Sequence, residues 1–121
     1  MSNKTTILVV DDDAVIIKLL ESILAKDYKV VSASDGHDII AKLKEHKPQM
    51  IVLDIMMPGV NGYDICRDLK FNSPYQDIPI LFLTSRDQEI DPRIGKMMGV
   101  SYLQKPVDRG LLLRTIKQIL N

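Results

Sequence analysis

An α/β fold built on a parallel sheet is what this sequence predicts, and two observations predict it. Apolar runs of strand length alternate with stretches of helical period from one end of the chain to the other. The residues that close those runs are polar or charged, so chemistry collects at one end of the strands. Such alternation implies parallel strands joined by right-handed helical crossovers, with helices on both faces of the sheet.

The strands are expected at residues 6–10, 28–33, 50–54, 80–84 and 101–105. Ile16, Leu19, Leu20, Ile23 and Leu24 trace one face of a first helix, and Asp13 suits its start because an aspartate there caps the free amides. Ile39, Ile40 and Leu43 trace a second, and a third follows Gly62, with Ile65, Cys66 and Leu69 on its apolar face. A shorter fourth begins near Asp91-Pro92, since aspartate caps and proline fits the first helical turn. The last runs from Asp108 with Leu112, Ile116 and Ile119 inward.

At 121 residues and 45% hydrophobic content the chain is long enough to bury a real core, and it reads as a single domain over 1–121. It holds no internal repeat, low-complexity tract or linker, and it stops as the last helix ends. Sixteen Lys and Arg balance sixteen Asp and Glu, which argues against direct nucleic-acid binding and against an anionic membrane as partner. The first residues are polar and lead straight into an apolar run too short for secretion or membrane spanning, so the expected location is cytoplasmic. Cys66 is the single cysteine, without a partner for a disulfide or a thiolate zinc site, and it reads as a small buried residue.

In sheets of this kind ligands gather beyond the carboxyl ends of the strands. The residues expected there are Asp11, Asp12 and Asp13 after the first strand, Asp54 after the third, Thr84 and Ser85 after the fourth, and Lys105-Pro106 after the fifth. Two carboxylates ~5 Å apart repel by roughly 3 kcal/mol at an effective dielectric of ~20, so such a cluster calls for a divalent cation. Hard oxygen ligands suit magnesium, which commonly bridges protein carboxylate to phosphate. With a cation present, an acidic pocket holding one lysine and one hydroxyl becomes a good acceptor for a transferred phosphoryl group, and Asp54 is the candidate nucleophile.

These residues also carry a family resemblance. Val9-Val10-Asp11-Asp12, Leu53-Asp54-Ile55-Met56-Met57-Pro58-Gly59 with Gly62 beyond, Leu83-Thr84-Ser85 and Tyr102-Leu103-Gln104-Lys105-Pro106 resemble the signature segments of the receiver domain of bacterial response regulators, over essentially the whole chain. The resemblance implies a flavodoxin-like (βα)5 three-layer sandwich with strand order 2-1-3-4-5. It implies that Asp54 takes a phosphoryl group from a histidine kinase or a histidine phosphotransfer protein. Asp12 and Asp54 would ligate Mg2+ (Mn2+ possible) by side chain, Met56 by its backbone carbonyl, and Asp11 through a bound water. Lys105 would pair with the phosphoryl oxygens, Thr84 would hydrogen-bond them, and Tyr102 would follow Thr84 inward. That movement would switch the surface of the fourth helix, fifth strand and fifth helix for a downstream target, the protein being a monomer or a phosphorylation-dependent dimer. The Lys105-Pro106 bond would be cis.

The chain departs from the family pattern at Val100-Ser101, at Val107 and at Ile90-Asp91-Pro92, which bears on partner recognition, while Met56 and Arg86 stand where the family tunes acyl-phosphate lifetime. The Met56-Met57 and Met97-Met98 pairs read as gap fillers, and His37 and His46 as solvent-facing residues away from the acidic edge. A haloacid-dehalogenase-type phosphatase would need an acid where Met56 stands, a flavodoxin would need a phosphate loop where three aspartates stand, and no glycine-rich nucleotide loop is present. Two readings stay beside the phosphoacceptor: a receiver fold used only as a docking module, and a receiver fragment of a longer regulator or hybrid kinase.

Overall fold

The computed structural model describes residues 4–57, 60–71, 74–85 and 101–121. The strands β1 (Thr6–Val10), β2 (Lys29–Ala33), β3 (Met50–Asp54), β4 (Ile80–Thr84) and β5 (Ser101–Gln104) form a five-stranded sheet in the order β2-β1-β3-β4-β5. Every neighbouring pair is parallel. β1, β3 and β4 occupy the interior of the sheet and are buried at every residue, which is why they read as unbroken apolar runs. β2 and β5 are the edges: Lys29 opens β2 exposed, and none of the residues of β5 is fully buried.

Four helices are described: α1 (Ala14–Leu24), α2 (Ile39–His46), α3 (Gly62–Phe71) and α4 (Arg109–Leu120). Alternation along the strands divides the core in two. Ile7, Val9, Met50, Val52, Leu81 and Leu83 pack against Ile17, Leu20, Ile23 and Leu24 of α1 and Leu112 and Ile116 of α4. On the other face Leu8, Val10, Ile51, Leu53, Ile80 and Phe82 meet Ile39 and Leu43 of α2 and Cys66 and Leu69 of α3. The fold is therefore the expected three-layer, flavodoxin-like sandwich. The helix expected near Asp91-Pro92, together with Arg86, Ile90, Met97, Met98 and Val100, lies outside the described residues, as do Pro58 and Gly59.

Caps set the helix starts. Asp13 Oδ1 accepts the Val15 N–H at 2.9 Å, and Asp108 Oδ1 accepts the Leu111 N–H at 2.9 Å, each satisfying an amide that has no partner within its helix. Two side chains assigned to inner faces point outward instead: Leu19 is 40% and Ile40 44% exposed. Each stands about 100° round its helix from a fully buried neighbour, Leu20 or Ile39, so a stripe centred on those neighbours leaves it in water. No helix among the described residues is long and apolar enough to cross a membrane.

Cys66 is buried, as expected, and burial pushes its thiol up to about 11, against the opposing pull of the Lys70 ammonium. Burial also lowers Lys70, whose Nζ donates to the Ile78 carbonyl at 2.7 Å. A thiol with a raised folded-state pKa favours the fold while it is neutral, and that contribution is lost as pH climbs from about 9 to about 11. Relative to Cys66→Ala, the parent protein should therefore lose about 2 kcal/mol over that interval in urea unfolding. Parallel pH profiles for the two proteins would refute the buried, neutral thiol.

Candidate functional site

Parallel pairing brings all five strand ends to one edge, and the register decides which side chains meet there. Val10 lies opposite Leu53, so Asp11 follows beside Asp54. Asp54 lies opposite Leu83, which brings Thr84 next, and Thr84 lies opposite Gln104, which brings Lys105 next. The Lys105 N–H donates to the Thr84 carbonyl at 2.6 Å, and the Lys105–Pro106 bond is cis, as the resemblance implies.

Asp11, Asp12 and Asp54 each offer a carboxylate oxygen within 4.8 Å of the others. Asp11 and Asp54 are buried, at 0% and 5% exposure, while Asp12 faces solvent. Lys105 Nζ donates to Asp11 Oδ2 at 3.0 Å and stands 3.7 Å from Asp54 Oδ2. The other oxygen of Asp11 accepts the Asp13 N–H at 2.9 Å, so this carboxylate is held from both sides while Asp13 itself caps α1. Thr84 Oγ1 is buried without a hydrogen-bond partner among the described residues, a costly state for a hydroxyl unless a group that enters the site uses it.

One ammonium cannot balance three carboxylates, and at these separations the remaining repulsion amounts to a few kcal/mol at an effective dielectric of ~20. An all-oxygen donor set of this charge fits a hard dication of the magnesium type rather than zinc or copper. Met56 lies two residues past Asp54 in a short antiparallel ribbon, Met56–Met57 against Val60–Asn61, which keeps its backbone at the same edge.

Gly62 locks that ribbon to the acidic edge. Its N–H donates to the Ile55 carbonyl at 2.6 Å, and a Cβ there would stand 2.7 Å from Ile55 Cα and 2.9 Å from the Asp54 carbonyl oxygen. Asn61 Oδ1 then accepts the Tyr63 N–H at 2.8 Å and starts α3. The Gly62 position was visible as part of a motif, but the close approach that requires it depends on the ribbon's path. Tyr102 is half-buried against the face that holds Phe82. His37 corrects the sequence reading: with Asp12, Ser34, Asp35, Gly36 and Met57 it lines a cleft of about 270 Å³ at the acidic edge, so it is not remote from it. Asp35 turns the chain back there by accepting the His37 N–H at 2.9 Å.

The family model of the response regulator receiver domain matches residues 7–117, and the chain belongs to that family, whose members are signalling domains of two-component systems. Among curated relatives, Protein PilH of Pseudomonas aeruginosa is 39% identical over 116 residues, covering 94% of this chain and 96% of that protein. Alkaline phosphatase synthesis transcriptional regulatory protein PhoP of Bacillus subtilis is 38% identical over 116 residues, but the match covers only 48% of that longer protein. Among solved structures, chemotaxis protein CheY4 of Vibrio cholerae superposes with a TM-score of 0.86 at 28% identity, over 97% of this chain and 99% of that one.

Proposed function

We propose that Asp54 is a phosphoacceptor that takes a phosphoryl group from a phosphohistidine on a histidine kinase or histidine phosphotransfer protein. The observation that carries this reading is the convergence of buried Asp54 with Asp11, Asp12 and Lys105 beside a hydroxyl, Thr84 Oγ1, that has no partner. A carboxylate oxygen of Asp54 attacks phosphorus, the P–N bond breaks, and the imidazole nitrogen leaves with the electron pair; the product is an acyl phosphate. Asp12, Asp54 and the Met56 carbonyl would hold a magnesium or manganese ion, with Asp11 contributing through a water, and the ion would supply the positive charge that lets two anions approach.

Lys105 follows the incoming oxygens from its place between Asp11 and Asp54. Thr84 donates its free hydroxyl to them, and Tyr102, on the same face of the neighbouring strand, turns into the space that Thr84 leaves. The altered surface, comprising the fourth predicted helix, β5 and α4, is recognised by a downstream protein. The module works in the cytoplasm without direct contact with nucleic acid or membrane, as a monomer or a phosphorylation-dependent dimer.

Incubation with acetyl phosphate and Mg2+ should add one phosphoryl mass, and beryllofluoride with Mg2+ should alter the NMR spectrum. Asp54→Asn should abolish both responses. If neither reagent gives a response that Asp54→Asn removes, the fold serves here as a docking module.

A further inference from the structure

Tyr63 lies in the first turn of α3, directly after Gly62, and its ring meets that of Phe82 edge-on, with centroids 5.3 Å apart and planes at 69°. Phe82 is fully buried, and its register partner across the ladder is Tyr102. Paired residues on adjacent parallel strands project to the same side, and Thr84, two residues beyond Phe82, shares that side. Tyr63 and Tyr102 both pack on the core cluster that contains Phe82. Ring travel from the position of Tyr102 toward Thr84 therefore runs along Phe82, and Tyr63 braces Phe82 from the helix side.

Tyr63 is in turn fixed to the acceptor turn. Its N–H is held by Asn61 Oδ1 at 2.8 Å, and the preceding Gly62 N–H is held by the Ile55 carbonyl at 2.6 Å, one residue from Asp54. We infer that Tyr63 is a positioning residue of the switch: it holds Phe82 as the fixed wall along which Tyr102 moves inward, and so contributes to the balance between the two Tyr102 rotamers. This rests on the phosphoacceptor reading and adds to it a contact from α3. Without the Tyr63 edge, Phe82 gains rotational freedom and invades the path, so the inward rotamer becomes harder to populate. A ligand that selects the inward form must then be supplied at higher concentration.

The chain has four tyrosines and no tryptophan, so fluorotyrosine labelling gives a readable 19F spectrum in which Tyr102→Phe identifies the reporting signal. In titrations with beryllofluoride at saturating Mg2+, Tyr63→Leu should raise the half-saturating concentration about three- to tenfold. Tyr63→Phe, which keeps the edge-to-face ring pair, should shift the half-saturating concentration less than Tyr63→Leu does. Urea unfolding of each variant separates loss of fold from loss of coupling, because the shift is read only on folded protein. A folded Tyr63→Leu whose half-saturation is unchanged or lower, or a Tyr63→Phe that shifts as far as the leucine variant, overturns the inference. A parent protein that fails to respond at all overturns the phosphoacceptor reading, and this coupling with it.

Discussion

Gly62→Ala should cost about 3 kcal/mol in urea unfolding, at the upper end for an overpacking change, and should raise the beryllofluoride concentration needed for half-saturation by at least an order of magnitude. The added methyl carbon would lie 2.7 Å from Ile55 Cα and 2.9 Å from the carbonyl oxygens of both Asp54 and Ile55. All three are backbone atoms, so relief comes only by moving the start of α3 away from the turn that follows Asp54. That movement breaks the Gly62 N–H bond to Ile55 and drags Cys66 and Leu69 out of their places in the core. Gly110→Ala is the informative contrast. Its nearest contact, at 3.1 Å, is the mobile guanidinium end of Arg114, and alanine is the better helix former, so that variant should stay within about 0.5 kcal/mol of the parent or exceed it. Equal urea midpoints for the two alanine variants would show that the close approach at Gly62 carries no energetic weight.

What could be read from the chain depended on how completely a residue's neighbours are set by local pattern. β1, β3 and β4 match their expected bounds because a strand buried on both faces has an apolar run at its centre, and polar residues or proline mark where that run stops. The edge strands were less well defined: β2 begins at Lys29 rather than Tyr28, and β5 ends at Gln104 rather than Lys105. One-sided pairing and partial burial weaken the signal at such edges. Strand order was not legible from alternation, which fixes handedness but not sequence of pairing; it entered through the motif resemblance and agrees with the sheet observed. Hydrophobicity alone places Leu19 and Ile40 inward, because it does not fix the centre of a helix's buried stripe. At the site, the aspartates and Lys105 are identifiable together rather than singly, because one aspartate at a strand end is commonly a cap or turn residue whereas several charged groups at matching strand ends are not explained that way. The bracing of the turn after Asp54 by Gly62, the nearness of His37 to Asp12 and the lack of a partner for the Thr84 hydroxyl among the described residues all depend on how separate loops fold over one another.

Lys105→Met should uncouple stability from signalling in a way that identifies what the lysine does. In EDTA the variant should be about 2 kcal/mol less stable than the parent, because removing the ammonium leaves buried carboxylates facing one another. Asp11, at 0% exposure, loses the bond to its Oδ2, and Asp54 loses a cation 3.7 Å away. The loss stays below the 3–5 kcal/mol typical of a fully buried pair, since the lysine side chain is 23% exposed and water can enter the gap. Millimolar Mg2+ should restore most of the loss, because a dication bound only by the folded cluster stabilises it by mass action and replaces the missing positive charge. The increment in stability on adding Mg2+ should thus be larger for Lys105→Met than for the parent. Restored stability should not restore the response: beryllofluoride should need at least tenfold more reagent, since its oxygen-like fluorines lose the donor that follows them. Lys105→Arg should recover the stability in EDTA but only part of the response, because a planar guanidinium keeps the charge while changing the reach and direction of its donors. A methionine variant as stable as the parent without metal would mean that the Lys105–Asp11 contact relieves no repulsion, and the electrostatic account of the acidic edge would have to be abandoned.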